Sequence, residues 1–223
     1  MAAGEGTRLR PLSERWPKPI LPIDGRPVLA TLLRELAAAG CPHATIVTGH
    51  LAEQVEALAG DGTGFGIELA YARQPSPDGS ADAVRRALAA GAQAPCLVTV
   101  ADTVFEPGDV ARFAGAGANA VAVRRDPPPG PGIAAVRVEN GVVTRIPDDD
   151  PANPYAAASL WVLGPELTPY LEGVPGPPYE LATAYQQAID DGLEVLGIEI
   201  GATRDLTDPL DLVEENFPYL RTR

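Results

Sequence analysis

With 223 residues, 45% of them apolar, and a net charge of −13, the chain is long enough to bury one large core, and it is too acidic to expect nucleic acid or an anionic membrane as partner. No run approaches the ~18 consecutive apolar residues of a membrane span, and no charged-then-apolar leader opens the sequence, so the cytoplasm is the expected setting. Cys41 and Cys96 lack C-x-x-C and histidine spacing and are expected to be free thiols.

The first 22 residues carry the strongest chemical signal. Gly4 and Gly6 have no Cβ, so the backbone there can approach a ligand and turn its N–H groups inward. Thr7 adds a hydroxyl, and Arg8 adds a planar fork that matches two phosphate oxygens. Lys18, between Pro17 and Pro19, is the single lysine among 17 lysines and arginines. Residues 1–26 carry Arg8, Arg10, Arg15, Lys18 and Arg26 against Glu5, Glu14 and Asp24, a local net of +2 in an acidic chain. A compact basic patch of this kind suits a small polyanion. The glycines match neither a dinucleotide fingerprint nor a Walker A loop, because no third glycine and no Gly-Lys-Ser/Thr follow.

Further along, Asp24–Pro27 reads as a turn into a helix with apolar residues from Val28 to Leu36, closed by Gly40. Ala44–Thr48 is a strand, Leu51–Leu58 an amphipathic helix, Asp61–Gly66 a surface connection and Ile67–Ala72 a strand. Ser80 is placed to cap a helix running to Leu88, with Gly91 beyond it. Pro95–Ala101 reads as a strand buried on both faces. It leads into Asp102, a carboxylate at a strand's carboxyl end, where α/β proteins place metals and catalytic groups. Strands follow near 118–124, 133–139 and 142–146, the last two joined by the turn Asn140-Gly141. Tyr155–Leu163 is a strand, Tyr179–Asp191 a helix and Glu194–Ile200 a strand. A loop from Arg204 enters a final helix, with Asp208 a candidate N-cap. Alternating strands and helices to about residue 117, then a strand-rich third, predict an α/β fold with a mixed sheet.

The combination G-x-G-T-R-L-x-P-L followed by P-K-P-x-L-P-x-x-G-x-P resembles the signature of the sugar-1-phosphate nucleotidylyltransferases. The resemblance covers nearly the whole chain and is closest to glucose-1-phosphate thymidylyltransferase. It implies a single Rossmann-like, GT-A type domain over 1–223, with a mixed, mostly parallel central sheet flanked by helices. It assigns 1–117 to nucleotide binding and 118–223 to sugar binding. It implies that Ala3, Gly4, Gly6, Thr7 and Arg8 bind the triphosphate, and that Gln74 and Gly79 read a pyrimidine edge. Asp102 and Asp205 are then the Mg²⁺ ligands, Arg8, Lys18 and Asp102 the catalytic residues, and Gly132 a sugar contact. The substrates implied are a nucleoside triphosphate, dTTP or UTP, and a sugar 1-phosphate, with homo-oligomerisation left open.

Three departures keep alternatives open. The family's Glu-Lys-Pro, whose lysine holds the sugar phosphate, falls at Asp148-Asp149-Asp150-Pro151, so Arg137 or Arg145 would have to substitute. The family's N-A-G-I-Y falls at Ala157–Trp161. The apolar strand ahead of L-A-A-G is missing from the sequence, which opens at Met1-Ala2-Ala3-Gly4. A catalytically inactive nucleotide sensor, or a transferase with another acceptor such as choline phosphate, fits these departures. No hexapeptide repeats of a left-handed β-helix occur.

Overall fold

The structure, a computed structural model, describes residues 1–117, 119–125, 134–150 and 152–221. The phosphate-loop candidate is a chain of three 3₁₀ turns, Thr7–Leu9, Leu12–Glu14 and Lys18–Ile20. Strands β1 (Pro22–Ile23) and β2 (Arg26–Pro27) form a hairpin that feeds helix α1 (Val28–Ala38). This helix buries Val28, Leu29, Leu32, Leu33 and Leu36 and ends as Gly40 takes φ 85°, a conformation a Cβ would oppose. Then come β3 (His43–Thr48), α2 (Ala52–Ala59), β4 (Glu68–Arg73), α3 (Ser80–Ala89), β5 (Cys96–Thr99), β6 (Thr103–Val104) and α4 (Asp109–Ala114). The chain continues through β7 (Ala120–Arg125), β8 (Arg137–Glu139), β9 (Val142–Arg145), β10 (Tyr155–Leu163), α5 (Leu181–Asp190), β11 (Leu196–Glu199), β12 (Arg204–Asp205) and α6 (Pro209–Asn216).

The chain packs as two compact units that interleave in sequence. One comprises 1–77, 100–111 and 203–223; the other comprises 78–99 and 112–202. In the first, β3 and β4 pair in parallel, and β6 pairs with β12 antiparallel. Ala2 bridges Thr48 in parallel, and the Met1 carbonyl accepts from Ala101 N at 2.8 Å, so the residues just before Ala3 are paired on both sides. In the second, six strands lie in the order β5-β10-β7-β11-β9-β8.

The α/β class and the mixed sheet are as expected, but antiparallel pairing is more frequent than expected in the six-stranded sheet. Only β7–β11 is parallel there. The nine-residue β10 runs antiparallel between β5 and β7, and the β8–β9 hairpin adds two more strands at the far end. Asn140 (φ 53°) and Gly141 (φ 81°) make the hairpin turn, as their sequence implied. Strand β5 ends the strand order, and only its Val98 is buried, so it is not the doubly covered strand its apolar run suggested.

A second correction concerns Ser80. Its hydroxyl does not cap α3; it accepts from Leu181 N at 2.7 Å and donates to Glu180 at 2.7 Å. Ser80 therefore caps α5, a hundred residues away in sequence. Asp208 does cap its helix: it accepts from Leu210 N at 2.7 Å, while Asp211 reaches back to Asp208 N at 2.9 Å.

Candidate active site

One hydrophobic cluster in the first unit sets the positions of the chemical groups. Leu9, Leu21, Ile23, Val28, Val104 and Leu206 are buried together. Each candidate residue lies one to three positions from a member: Arg8 from Leu9, Lys18 from Leu21, Asp102 from Val104 and Asp205 from Leu206. Burying each of these aliphatic side chains contributes about 1.5–3 kcal/mol, enough to hold its polar neighbour in place.

The short β6–β12 ladder then brings the carboxylates together. Thr103 is the register partner of Asp205, so Asp102 arrives beside it across a hundred residues of sequence. Lys18 Nζ lies 2.5 Å from Asp102 Oδ2 and 3.7 Å from Asp205 Oδ2. Its side chain is 14% exposed, against 27% for Asp102 and 49% for Asp205, so the carboxylates keep an open side. Two carboxylates drawn around one positive charge are a donor set that fits Mg²⁺, which takes one or two carboxylates and completes its shell with phosphate and water oxygens. Among the described residues no group of three acidic, histidine or cysteine side chains forms a fuller cage.

Neighbouring contacts fix β12. Arg204 pairs with Asp24, in the turn between β1 and β2, and with Glu215 of α6 at 3.1 Å. The hydrogen bond and charge of Arg204 hold the Asp24 carboxyl below the usual carboxylate range. Asn216 donates to the Pro22 carbonyl at 2.8 Å and accepts from Gly25 N at 2.7 Å. Arg204 and Asp205 are adjacent on a strand, so their side chains leave opposite faces, one to the anchor and one to the carboxylate pair.

The phosphate loop is exposed at Gly4, Thr7 and Arg8, and Ala3 is buried beneath it. A side chain at Gly4 would meet no protein atom within 4 Å, so packing among the described residues does not require glycine there. Gly6 differs: its φ of 61° favours glycine, and an added Cβ would come within 3.3 Å of Ser13 Cβ. Gln74 is 5% exposed, against the surface position its strand-end location allowed, and its backbone N donates to Thr48 O at 2.8 Å.

In the second unit, Gly79 has φ 108°, and a Cβ there would strike the backbone of Tyr179 at 2.4 Å. Close chain approach therefore requires glycine at 79 whatever else it does. Arg137 grips buried Asp148 through two bonds, Nη2–Oδ1 at 3.0 Å and Nε–Oδ2 at 3.2 Å. It also lies 3.6 Å from Asp150, and Asn153 donates to Asp148 at 2.7 Å. Burial opposes ionisation of Asp148, but Asn153 and Arg137 outweigh it and hold the carboxyl below its usual range. Arg145, the register partner of Arg137, is exposed. Ser159, where the family pattern has glycine, has φ 58° at an irregularity of β10 between Ala157 and Trp161. Gly132 and Pro151 lie outside the described residues.

Sequence reasoning missed Arg204, His50 and Gln54. His50 and Gln54 meet the carbonyls of Ser13 and Arg15, at 2.7 and 2.9 Å. Nothing in residue type marks such contacts; only the pairing of distant segments does. The two-residue β6 and β12 are too short for any periodicity.

The structure is thus an α/β fold in which a glycine–arginine loop adjoins a lysine between two carboxylates. The chain belongs to the nucleotidyl transferase family, whose sequence model matches residues 1–214. It is 28% identical over 97% of its length to the low-salt glycan biosynthesis nucleotidyltransferase Agl11 of Haloferax volcanii, and spans 64% of that protein. It is 30% identical over 96% of its length to a glucose-1-phosphate thymidylyltransferase of Xanthomonas campestris, and spans 79% of it. The inositol-1-phosphate CTP transferase of T. maritima shares the fold, with TM-score 0.82 and 18% identity over 94% of this chain and 88% of that one. The motif resemblance at residues 2–29 is thus borne out at the level of the family. Among the described residues no helix is long and apolar enough to cross a membrane.

Proposed function

We propose that the protein transfers a nucleotidyl group from a nucleoside triphosphate, dTTP or UTP, to a sugar 1-phosphate and releases pyrophosphate in the cytoplasm. The observation that carries this reading is the placement of Lys18 between Asp102 and Asp205 in the unit that also holds the Gly4–Arg8 loop. An acceptor phosphate oxygen attacks the α-phosphorus in line. Catalysis is then mostly positioning and charge neutralisation.

The loop donors at Ala3, Gly4, Gly6 and Thr7 cradle the triphosphate, and Arg8 grips the leaving pyrophosphate. Lys18 neutralises charge at the α-phosphate. Asp102 and Asp205 would hold Mg²⁺, which supplies Lewis-acid stabilisation of phosphate charge when bound. Gln74 reads the pyrimidine edge through its side-chain amide. Gly4 supports the cradle, because packing among the described residues gives no reason for glycine there and close ligand approach supplies one.

On the acceptor side Arg137 is engaged by Asp148 and Asp150, which leaves the exposed Arg145 as the cation for the acceptor phosphate. Asp148 is neutralised in place, so the aspartate run presents less net repulsion than its sequence suggests. Pyrophosphate release with Mg²⁺, measured for dTTP, UTP, CTP and GTP against sugar 1-phosphates, amino-sugar phosphates and choline phosphate, tests the reading. Release with dTTP or UTP and a sugar 1-phosphate is expected. Release only with choline phosphate would move the acceptor, and no release with any pair would leave the inactive-sensor reading.

A further inference from the structure

The phosphate loop has little regular structure of its own. Its turns are closed locally, by Leu9 N to Gly6 O at 2.9 Å, Glu14 N to Pro11 O at 3.2 Å and Arg15 N to Leu12 O at 3.1 Å. Local turns fix each short arc but not its placement on the protein. Leu9 and Leu21 root the two ends of the 7–20 stretch in the hydrophobic cluster. The outer arc, residues 11–16, needs another tether.

The segment around the start of α2 supplies it. His50 Nε2 lies 2.7 Å from the Ser13 carbonyl, and because that carbonyl can only accept, Nε2 carries the proton and donates. Gln54 Nε2 donates to the Arg15 carbonyl at 2.9 Å. Four residues apart, the two side chains meet carbonyls two residues apart on the loop. The same segment holds the start of the loop: His50 N donates to Ala3 O at 3.2 Å. A Cβ on Gly49 would come within 2.6 Å of Ala3 O and 2.9 Å of Gln74 O, so this turn lies tightly against both. Ser13 is 1% exposed, with its Oγ buried and without a hydrogen-bond partner among the described residues, so it is held through its carbonyl. The site for a Cβ on Gly6 is 3.3 Å from Ser13 Cβ and 3.6 Å from Lys18 Cβ. Ser13 and the root of Lys18 thus both lie close to the Gly6 backbone.

The structure assigns to His50 and Gln54 a positioning role: they clamp the outer arc of the loop through the Ser13 and Arg15 carbonyls and so set the geometry in which Gly6 and Lys18 meet the triphosphate. Neither touches the reacting atoms. The assignment rests on the nucleotidyl-transfer reading above and deepens it.

His50→Phe keeps a ring and removes the donor, His50→Gln restores an Nε2 donor, and Gln54→Leu removes the second clamp at a site open enough to tolerate the change. Pyrophosphate release is measured as KM and kcat for dTTP or UTP and for the acceptor, alongside binding of a fluorescent nucleoside triphosphate without acceptor. His50→Phe is expected to raise KM and Kd for the triphosphate about five- to tenfold, the scale of one lost hydrogen bond. Gln54→Leu should raise them about threefold. Acceptor KM should stay within twofold in both, and His50→Gln should recover most of the loss. Unchanged triphosphate KM in both single variants, or an equal rise in both substrates' KM, would overturn the assignment. If His50→Phe does not fold, Gln54→Leu alone decides it. Wild-type protein that neither binds triphosphate nor releases pyrophosphate would instead sink the underlying reading.

Discussion

Two acidic clusters in this molecule meet their cations in opposite ways. In the first unit a single ammonium, Lys18, lies between the partly exposed carboxylates Asp102 and Asp205. In the second, the guanidinium of Arg137 grips buried Asp148 with two bonds while Asn153 supplies a third. A point charge on a flexible stem can leave one set of oxygens for another, whereas a planar fork on a buried carboxylate is part of the framework. On the proposed reading the first arrangement exchanges with phosphate, while the second holds a loop. Asp148, in the run that in sequence is the strongest objection to a phosphate-binding protein, is in structure an internal support, while Asp149 and Asp150 stay exposed.

The largest expected effects fall on the exchangeable cluster. Lys18→Ala and Asp102→Asn should each lower kcat by ~10²-fold or more, the scale for losing a preorganised charge. Lys18→Arg should also be damaging, since a fork does not replace a point charge. Full turnover in Lys18→Ala or Asp102→Asn would erase the distinction between the two clusters.

On the other side, Arg145→Ala should raise the acceptor KM about tenfold and leave triphosphate KM unchanged, the scale of one charge-assisted contact. If Arg137→Ala does this instead, without loss of stability, the second cluster is also exchangeable.

The glycines sharpen the same contrast between ligand and framework. Gly4→Ala meets no atom of the described residues within 4 Å, so thermal stability should hold while triphosphate KM rises. Gly6→Ala should cost about 1 kcal/mol of stability, because its φ is 61°. A stability loss in Gly4→Ala would reassign that glycine to the framework.

The smallest effect concerns an acidic group held by neither device. Glu35 Oε2 is buried without a hydrogen-bond partner among the described residues. Burial, with Asp109 adding to it, pushes the Glu35 carboxyl up to about 7 from 4.5. The folded state therefore binds the proton more tightly than the unfolded chain. This stabilisation is full below pH 4.5 and is lost as pH rises through about 7. Glu35→Gln should melt higher than wild type at pH 8 and flatten the decline of melting temperature between pH 5 and 8. An unchanged pH profile would refute the shift.

The sequence by itself determined the elements whose signal is local. The 3.6-residue spacing of α1, the β-branched run of β3, the Asn140-Gly141 turn and the Asp208 cap all follow from residue type at short range. The G-x-G-T-R and P-K-P spacing likewise identified the family, and with it Lys18, Asp102 and Asp205 as a set. Tertiary structure decided what residue type cannot encode. Asp205 reaches Asp102 through a two-residue ladder, too short for periodicity, whose strands are rooted by Val104 and Leu206. Ser80 has the right residue type for a cap but serves α5, because the chain folds back a hundred residues to bring Leu181 N to its hydroxyl. Arg137 and Asp148 carry charge that in sequence only sums, whereas burial and a bidentate geometry make it a fixed pair. Hydrogen bonds such as His50 to Ser13 and Gln54 to Arg15 join side chains to carbonyls, and every residue has a carbonyl, so only folding determines which are met.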